Sequence, residues 1–262
     1  MRKRVLIIGA NGFTGRHLTA FLLRNSSLRL YTSGSVRAVR PDIIYNLKGS
    51  FTNDFGVDFD TNVRATQKLL DAILSAELKT RILLVGSSAE YGFPLSSNAP
   101  VGEDHPLAPV SVHGLAKLVQ TELMRLYIKL YGMNIVMVRP FNLKGNGVSP
   151  TLFFGKMEQE IARYKKGLIR KIITGNLSVE RDYIDVDDAV KYYATVMERG
   201  TQGEVYNVGN GKSVSLRLIL KGMLTEAGLS FSVVREGGHT IPGKIVVPKI
   251  FADIRKIQAL TK

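Results

Sequence analysis

Short apolar runs alternate along the chain with segments whose apolar residues recur every three or four positions. The runs "VLIIG" (5 to 9), "DIIYNL" (42 to 47), "RILLVGS" (81 to 87) and "NIVMVRP" (134 to 140) predict buried strands, and helices are predicted near 12 to 25, 59 to 77 and 111 to 131. Strands apolar on both faces and separated by helices imply an α/β protein with a parallel sheet covered on both sides. The helix from Ser111 is well marked: Val112, Leu115, Val119, Leu123, Leu126 and Leu130 form one stripe. Leading into it, Phe93 to Val110 holds four of the nine prolines and predicts a long ordered loop. After Pro140 the pattern loosens. Helices near 151 to 166, 186 to 199 and 213 to 227, with short strands at "KIIT", "GEVYNVG" and "SFSVV", predict a smaller second lobe.

Composition narrows the class. With 262 residues, 45% of them hydrophobic, the chain can bury a substantial core and is not disordered. The opening "MRKR" is basic, but "VLIIG" is too short for the apolar part of a signal peptide, and no stretch approaches the ~20 apolar residues of a membrane span. The absence of cysteine excludes disulfides and thiolate zinc sites; no metal and no membrane partner are expected, and the cytoplasm is the expected location. The net charge of +14 suits a polyanionic partner, but the basic residues are scattered, with no aromatic-interleaved stripe. Nucleic acid is therefore not expected; a solvated basic surface or a phosphate-bearing small molecule is.

In "VLIIGANGFTGRHLTAFLL", Gly9, Gly12 and Gly15 follow a strand and open an amphipathic helix. Gly9 allows a tight turn, Gly12 a close approach to a pyrophosphate, and Gly15 close packing of helix on strand, which predicts a Rossmann-type dinucleotide site. The acidic residue expected about 20 positions on, to hold a ribose 2′-hydroxyl, is missing. No carboxylate follows Gly15 until Asp42, and Arg37 and Arg40 stand there instead. They could pair with a 2′-phosphate, favouring NADP over NAD, or be only surface charges.

The series "GANGFTG", "RPDIIYNL", "TNVRATQKLLDA", "LLVGSSAEYG", "GEDHPLAPVSVHGLAK", "VRPFNLKGNG", "GNLSVERDYIDVDDAV" and "GEVYNVGNGKSVSL" resembles, in order and over nearly the whole chain, the extended short-chain dehydrogenases. These are NAD(P)-dependent sugar-nucleotide epimerases, dehydratases and reductases. "VGSSAEYG", "LYGMNIVMVRPFN" and "GNLSVERDYIDVDD" look most like the branch acting on GDP-sugars. The resemblance implies hydride exchange between a nicotinamide and a sugar carbon, with a tyrosine moving the proton on the sugar oxygen, a lysine assisting it, and a serine or threonine bonding the same oxygen. Ser87 matches the serine, Lys117 the lysine, and His113 falls where the tyrosine would be. Asn11, Phe13, Leu47, Lys48, Asn62 and Lys117 join the glycines and Arg37 at the implied cofactor surface; Ser88, Asn142 and Arg181 are the implied substrate contacts, with Lys144 adding to the phosphate field.

Several departures stand out. His113 and Lys117, four apart on a helix, share a face, so histidine can exchange protons where phenol would, but imidazole is shorter. It could equally pack or cap locally. The dehydratase branch carries acids just after the serine, where this chain has Ser88 and Ala89; Glu90 is the nearest acid, and alternation along the strand end turns it away. The link from the second strand to "RPDIIYNL" is too short for the helix and strand usually inserted there, Lys48 replaces a small residue, and "DIRKIQALTK" ends where relatives continue. Asp182 and Asp187 are read as backbone-bonding and helix-capping residues.

The expected architecture is a Rossmann-type doubly wound parallel sheet of residues 1–141 plus about 184–200, with a discontinuous smaller lobe of about 142–183 and 201–262. The expected activity is NAD(P)-dependent oxidoreduction of a GDP-linked 4-keto sugar nucleotide; a sugar-nucleotide epimerase and a catalytically silent nucleotide-binding member are the alternatives. The resemblance also implies a homodimer, through a two-helix interface that would include the helices near 59 to 77 and 111 to 131.

Overall fold

The computed structural model describes residues 2–237 and 245–261. In chain order its elements begin β1 (Lys3–Ile8), α1 (Phe13–Leu22), β2 (Leu28–Tyr31), α2 (Val36–Val39), β3 (Ile43–Asn46), α3 (Phe55–Phe59), α4 (Ala65–Ser75), β4 (Arg81–Val85), α5 (Val112–Tyr131) and β5 (Ile135–Pro140). They continue β6 (Asn142–Lys144), α6 (Phe153–Lys165), β7 (Ile172–Thr174), β8 (Glu180–Asp185), α7 (Val186–Arg199), β9 (Val205–Val208), β10 (Ser213–Ser215), α8 (Leu216–Glu226), β11 (Val234–Glu236), β12 (Lys249–Ile250) and α9 (Arg255–Ala259).

A parallel sheet of six strands in the order β2-β1-β3-β4-β5-β9 forms the main layer. Alternation sends successive side chains to opposite faces. Val5, Ile7, Leu83, Val136 and Val138 pack on one side with α1 and α7, while Leu6, Ile82, Leu84, Ile135 and Met137 pack on the other with α4 and α5. Covering both faces explains why the strands read as uninterrupted apolar runs. The order reverses between β1 and β3, so the crevice at their carboxyl ends is where such sheets take ligands. The link from β2 to β3 holds only the one-turn α2, and no strand lies beyond β2 among the described residues.

Two features differ from the pattern-based expectation. First, β9 and the buried Ile257 of α9 belong to the main sheet and its core, although both fall within the stretch expected in the smaller lobe. Second, the leucine stripe of α5 is mostly turned away from the core, with Leu123 packed against its margin. Leu115, Leu126 and Leu130 are exposed, whereas His113, Ala116, Lys117, Gln120, Thr121, Met124 and Tyr127 are buried. The face turned to the sheet is the more polar one because it carries the polar groups described below.

The smaller lobe gathers β10, β8 and β12, with β6 on β8, and a separate apolar cluster of Met157, Ile161, Ile172, Leu177, Leu220 and Leu224. Its attachment depends on Asp182, fully buried, whose carboxylate accepts the backbone N–H groups of Asn210 (2.7 Å), Gly211 (2.9 Å) and Ala252 (3.1 Å). Asp182→Ala strands one buried and two half-buried donors and is expected to cost about 1–3 kcal/mol in a denaturant titration; an unchanged midpoint would refute this role.

Candidate active site

The loop after β1 is shaped by its glycines. Gly9 has φ +85° and passes so close to the Leu47–Lys48 peptide that a Cβ would lie 3.0 Å from its atoms. At Gly15 a Cβ would sit 2.1 Å from the Gly9 carbonyl oxygen, so only glycine lets α1 start against the turn. Gly12 occupies the N-cap of α1 with no side-chain cap, and the first turn carries no acid. The leading N–H groups are thus left to an anion. This cradle at the β1/β3 reversal fits the pyrophosphate of a dinucleotide. Asn11 is exposed and its carbonyl accepts from Arg16, Phe13 packs edge-on to His17, Leu47 continues the β1 ladder through Ile8, and Lys48, Arg37 and Arg40 are exposed.

Ser87 follows β4 and caps the short turn Ser88–Glu90. Its Oγ accepts the Ala89 N–H at 3.1 Å, which leaves the hydroxyl proton free to be donated. Lys117 is buried, and its Nζ donates to the carbonyl of Val85, two residues before Ser87 (2.7 Å), and to Gln120 Oε1 (3.1 Å). Burial pulls Lys117 down to about 8, opposed by the charges of Glu90 and Asp58. The start of α5 presses on the Ser87 turn at Gly114, where a Cβ would meet the Ala89 carbonyl at 2.4 Å.

His113 Nδ1 lies 2.8 Å from the Ser50 carbonyl. A carbonyl only accepts, so Nδ1 carries the hydrogen and Nε2 of the neutral ring is the acceptor. Burial first, then the charge of Lys117, pushes His113 down to about 4, with the Ser50 bond and Asp58 opposing. The Phe51 ring stands edge-on at 4.8 Å.

The Ser50 loop is held by Asp58, which is fully buried and accepts from Ser50 Oγ (2.8 Å), Thr52 N (3.1 Å), Thr52 Oγ1 (3.0 Å) and Asn53 N (2.9 Å). Burial raises its carboxyl, but those bonds more than offset this and hold it below the usual range. Asn62 is also buried, and its amide is spent on this loop, donating to the carbonyls of Ser50 and Asp58 and accepting the Ser50 N–H.

Asn142 donates to the Asp182 carbonyl at 3.0 Å, and Arg181 Nη1 to the carbonyls of Glu180 (2.8 Å) and Pro248 (3.4 Å), so both side chains are tied to the smaller lobe's backbone. Lys144 lies over the Phe154 ring, and Ser88 is half-buried. Asp182 bonds backbone, as its sequence context suggests. The cap of α7, however, is Asp185; Asp187 instead pairs with His17 at 2.7 Å.

Pattern reading missed Asp58 and misplaced Glu90. Residues 88–90 form a turn rather than a strand end, so alternation does not apply and the Glu90 side chain goes inward, fully buried, onto the Ser87 N–H (2.8 Å) and Arg139 (2.8 Å). The S-x-x-E spacing of Ser87 and Glu90, the signature of a capping box, was the available signal.

Residues 5–209 match the NAD dependent epimerase/dehydratase family, and the chain belongs to it. A GDP-6-deoxy-D-mannose reductase of Pseudomonas aeruginosa is 25% identical over 255 residues, covering 90% of this chain and 84% of that protein. A putative UDP-glucose 4-epimerase of Methanocaldococcus jannaschii is 26% identical over 289 residues, covering 98% and 92%. Among solved structures, RMD from Pseudomonas aeruginosa complexed with NADPH superposes with a TM-score of 0.89 at 22% identity, over 99% of this chain and 92% of that one. Members of the family are NAD(P)-dependent sugar-nucleotide reductases, epimerases and dehydratases.

Gly15→Ala is expected to destabilise the protein by about 1–3 kcal/mol through overpacking and to abolish the thermal shift given by NADPH. An unaltered shift would show that the α1 cradle does not hold the dinucleotide.

Proposed function

We propose that the chain is an NAD(P)-dependent oxidoreductase of a 4-keto sugar nucleotide, GDP-linked, with NADPH the preferred cofactor. The observation that carries this reading is the pairing of a Ser87 hydroxyl whose proton is free with a buried Lys117 and a neutral His113, at the edge where the phosphate cradle opens. The dinucleotide, held at Gly9, Gly12 and Gly15, would supply or accept hydride. Ser87 donates to the sugar oxygen, His113 Nε2 exchanges the proton with it, and Lys117, beside both, supplies positive charge that steadies the oxygen as it becomes anionic. Arg181, Asn142 and Ser88 are the proposed substrate contacts, and Asn11, Phe13, Leu47, Lys48 and Asn62 complete the proposed cofactor surface.

Two comparisons support the finer choices. The reductase relative acts, by its name, on a GDP-sugar, and the structural neighbour holds NADPH. Exposed Arg37 and Arg40, with no acid between Gly15 and Asp42, favour a 2′-phosphate. Dehydration is disfavoured, because Ser88 and Ala89 offer no carboxylate and Glu90 is locked in an ion pair. Epimerisation is the second reading, supported by the length of the match to the putative epimerase.

The test is to follow NADPH with GDP-4-keto-6-deoxymannose, and UDP-glucose with NAD⁺ in parallel. Because His113 is held near 4, ketone reduction needs its minor protonated form, and the native rate is expected to rise about tenfold per pH unit between pH 7.5 and 5.5. His113→Ala should lower it by about 10²–10⁴. A native protein that is inert while His113→Tyr is active would overturn the histidine's role, and turnover of UDP-glucose alone would favour the epimerase.

We also infer a homodimer built on the outward stripe of α5. Leu126 and Leu130 are 48% and 59% exposed, an apolar face that a second copy would cover. Sedimentation should give a dimer, and Leu126→Glu a monomer; a monomeric native protein would remove the inference.

A further inference from the structure

The buried charges around the site carry one more step. We propose that Glu90 is the positioning residue of this site: its carboxylate clips the Ser87 turn to α5 and supplies the negative charge against which Lys117 is buried. This rests on the reading of Ser87 and Lys117 as the groups at the reacting oxygen. Glu90 itself, with no exposed surface, is out of a ligand's reach.

The clip is a four-way junction on one carboxylate. Oε1 accepts the Ser87 N–H at 2.8 Å, and Oε2 accepts Thr121 Oγ1 at 2.6 Å and Arg139 Nε at 3.0 Å, with Arg139 Nη2 also 2.8 Å away. Thr121 is one turn beyond Lys117 on the same helix face, so the serine and the lysine are referred to a common anchor. The main chain runs directly over it: a Cβ on Gly86 would lie 2.5 Å from Glu90 Oε1.

The electrostatics follow the same junction. Burial drives Lys117 toward the neutral amine, and the two charges that oppose this are Glu90, from the β4–α5 turn, and Asp58, from α3. His113, one turn earlier on α5, is neutral near pH 7. Arg139 is paired to Glu90 and donates from Nη1 to the Tyr91 hydroxyl at 3.3 Å. Two buried carboxylates thus balance two buried cations. Without the Glu90 charge, Asp58 alone opposes the desolvation of Lys117, and Arg139 loses its carboxylate partner.

A purely structural Glu90 would change stability and leave the charge state of Lys117 alone; a positioning Glu90 changes both. The readout is an NMR titration of 13Cε-labelled lysine in the full chain without ligand, with Lys117→Met to assign the signal. Glu90→Gln is expected to lower the Lys117 midpoint by about one pH unit or more. Since an unpaired buried Arg139 can prevent folding, Glu90→Gln combined with Arg139→Gln provides a second, charge-neutral variant with the same expected direction. Thr121→Val, which keeps the charge and removes the clip, is expected to leave the midpoint in place and lower kcat with little change in KM. A midpoint unmoved in both Glu90 variants overturns the proposal. If the midpoint moves while no sugar nucleotide is turned over, the positioning role stands and the proposed function falls.

Discussion

The guanidinium of Arg139 and the carboxylate of Glu90 meet with neither side chain exposed, and much of the site hangs on that pair. Removing two charges from water costs several kcal/mol each, and the cost is offset only when every remaining polar group is engaged. Here the engagement spreads outward. Arg139 reaches the Tyr91 hydroxyl, which donates to Asn207 Oδ1 at 2.7 Å, and Asn207 donates from Nδ2 to the Val101 carbonyl while its N–H meets Glu103. β5, β9, the Ser87 turn and the proline-rich loop are thereby joined by one buried polar network, and Val101 passes the connection to Ala252 beyond β12.

A second buried carboxylate does for the helix start what the first does for the strand end. Asp58 gathers Ser50, Thr52 and Asn53 into a compact loop, and that loop presents the Ser50 carbonyl to His113. The proton position on the imidazole is therefore decided by residues 63 to 55 positions earlier in the chain, Ser50 and Asp58, not by its helix. The imidazole is thereby held with a defined acceptor nitrogen.

The two ends of the dinucleotide crevice are built unequally. At the glycine cradle, the contacts at Gly9 and Gly15 admit no side chain, so the geometry is rigidly specified. On the adenosine side β2 is the sheet edge and the single turn of α2 leaves Arg37 and Arg40 in solvent. The packing that a further strand and helix would provide is missing there among the described residues, so the proposed 2′-phosphate contact rests on these arginines alone.

Periodicity and spacing by themselves determined the parallel sheet and the glycine cradle, because each depends on local rules, side-chain alternation and backbone freedom at glycine, whereas Ser87 and Lys117 were singled out by the resemblance to a family. Periodicity could not determine which face of α5 looks inward. Amphipathicity points the leucine stripe at the core, and only the packed structure shows a polar face buried instead, its Lys117, Gln120 and Thr121 satisfied by partners on β4, α4 and the Ser87 turn. The roles of Glu90 and Asp58 were likewise left to the tertiary structure. A buried charge is tolerated only where distant segments bring it hydrogen bonds and an opposite charge, and that is a property of the assembled chain, not of any stretch of it.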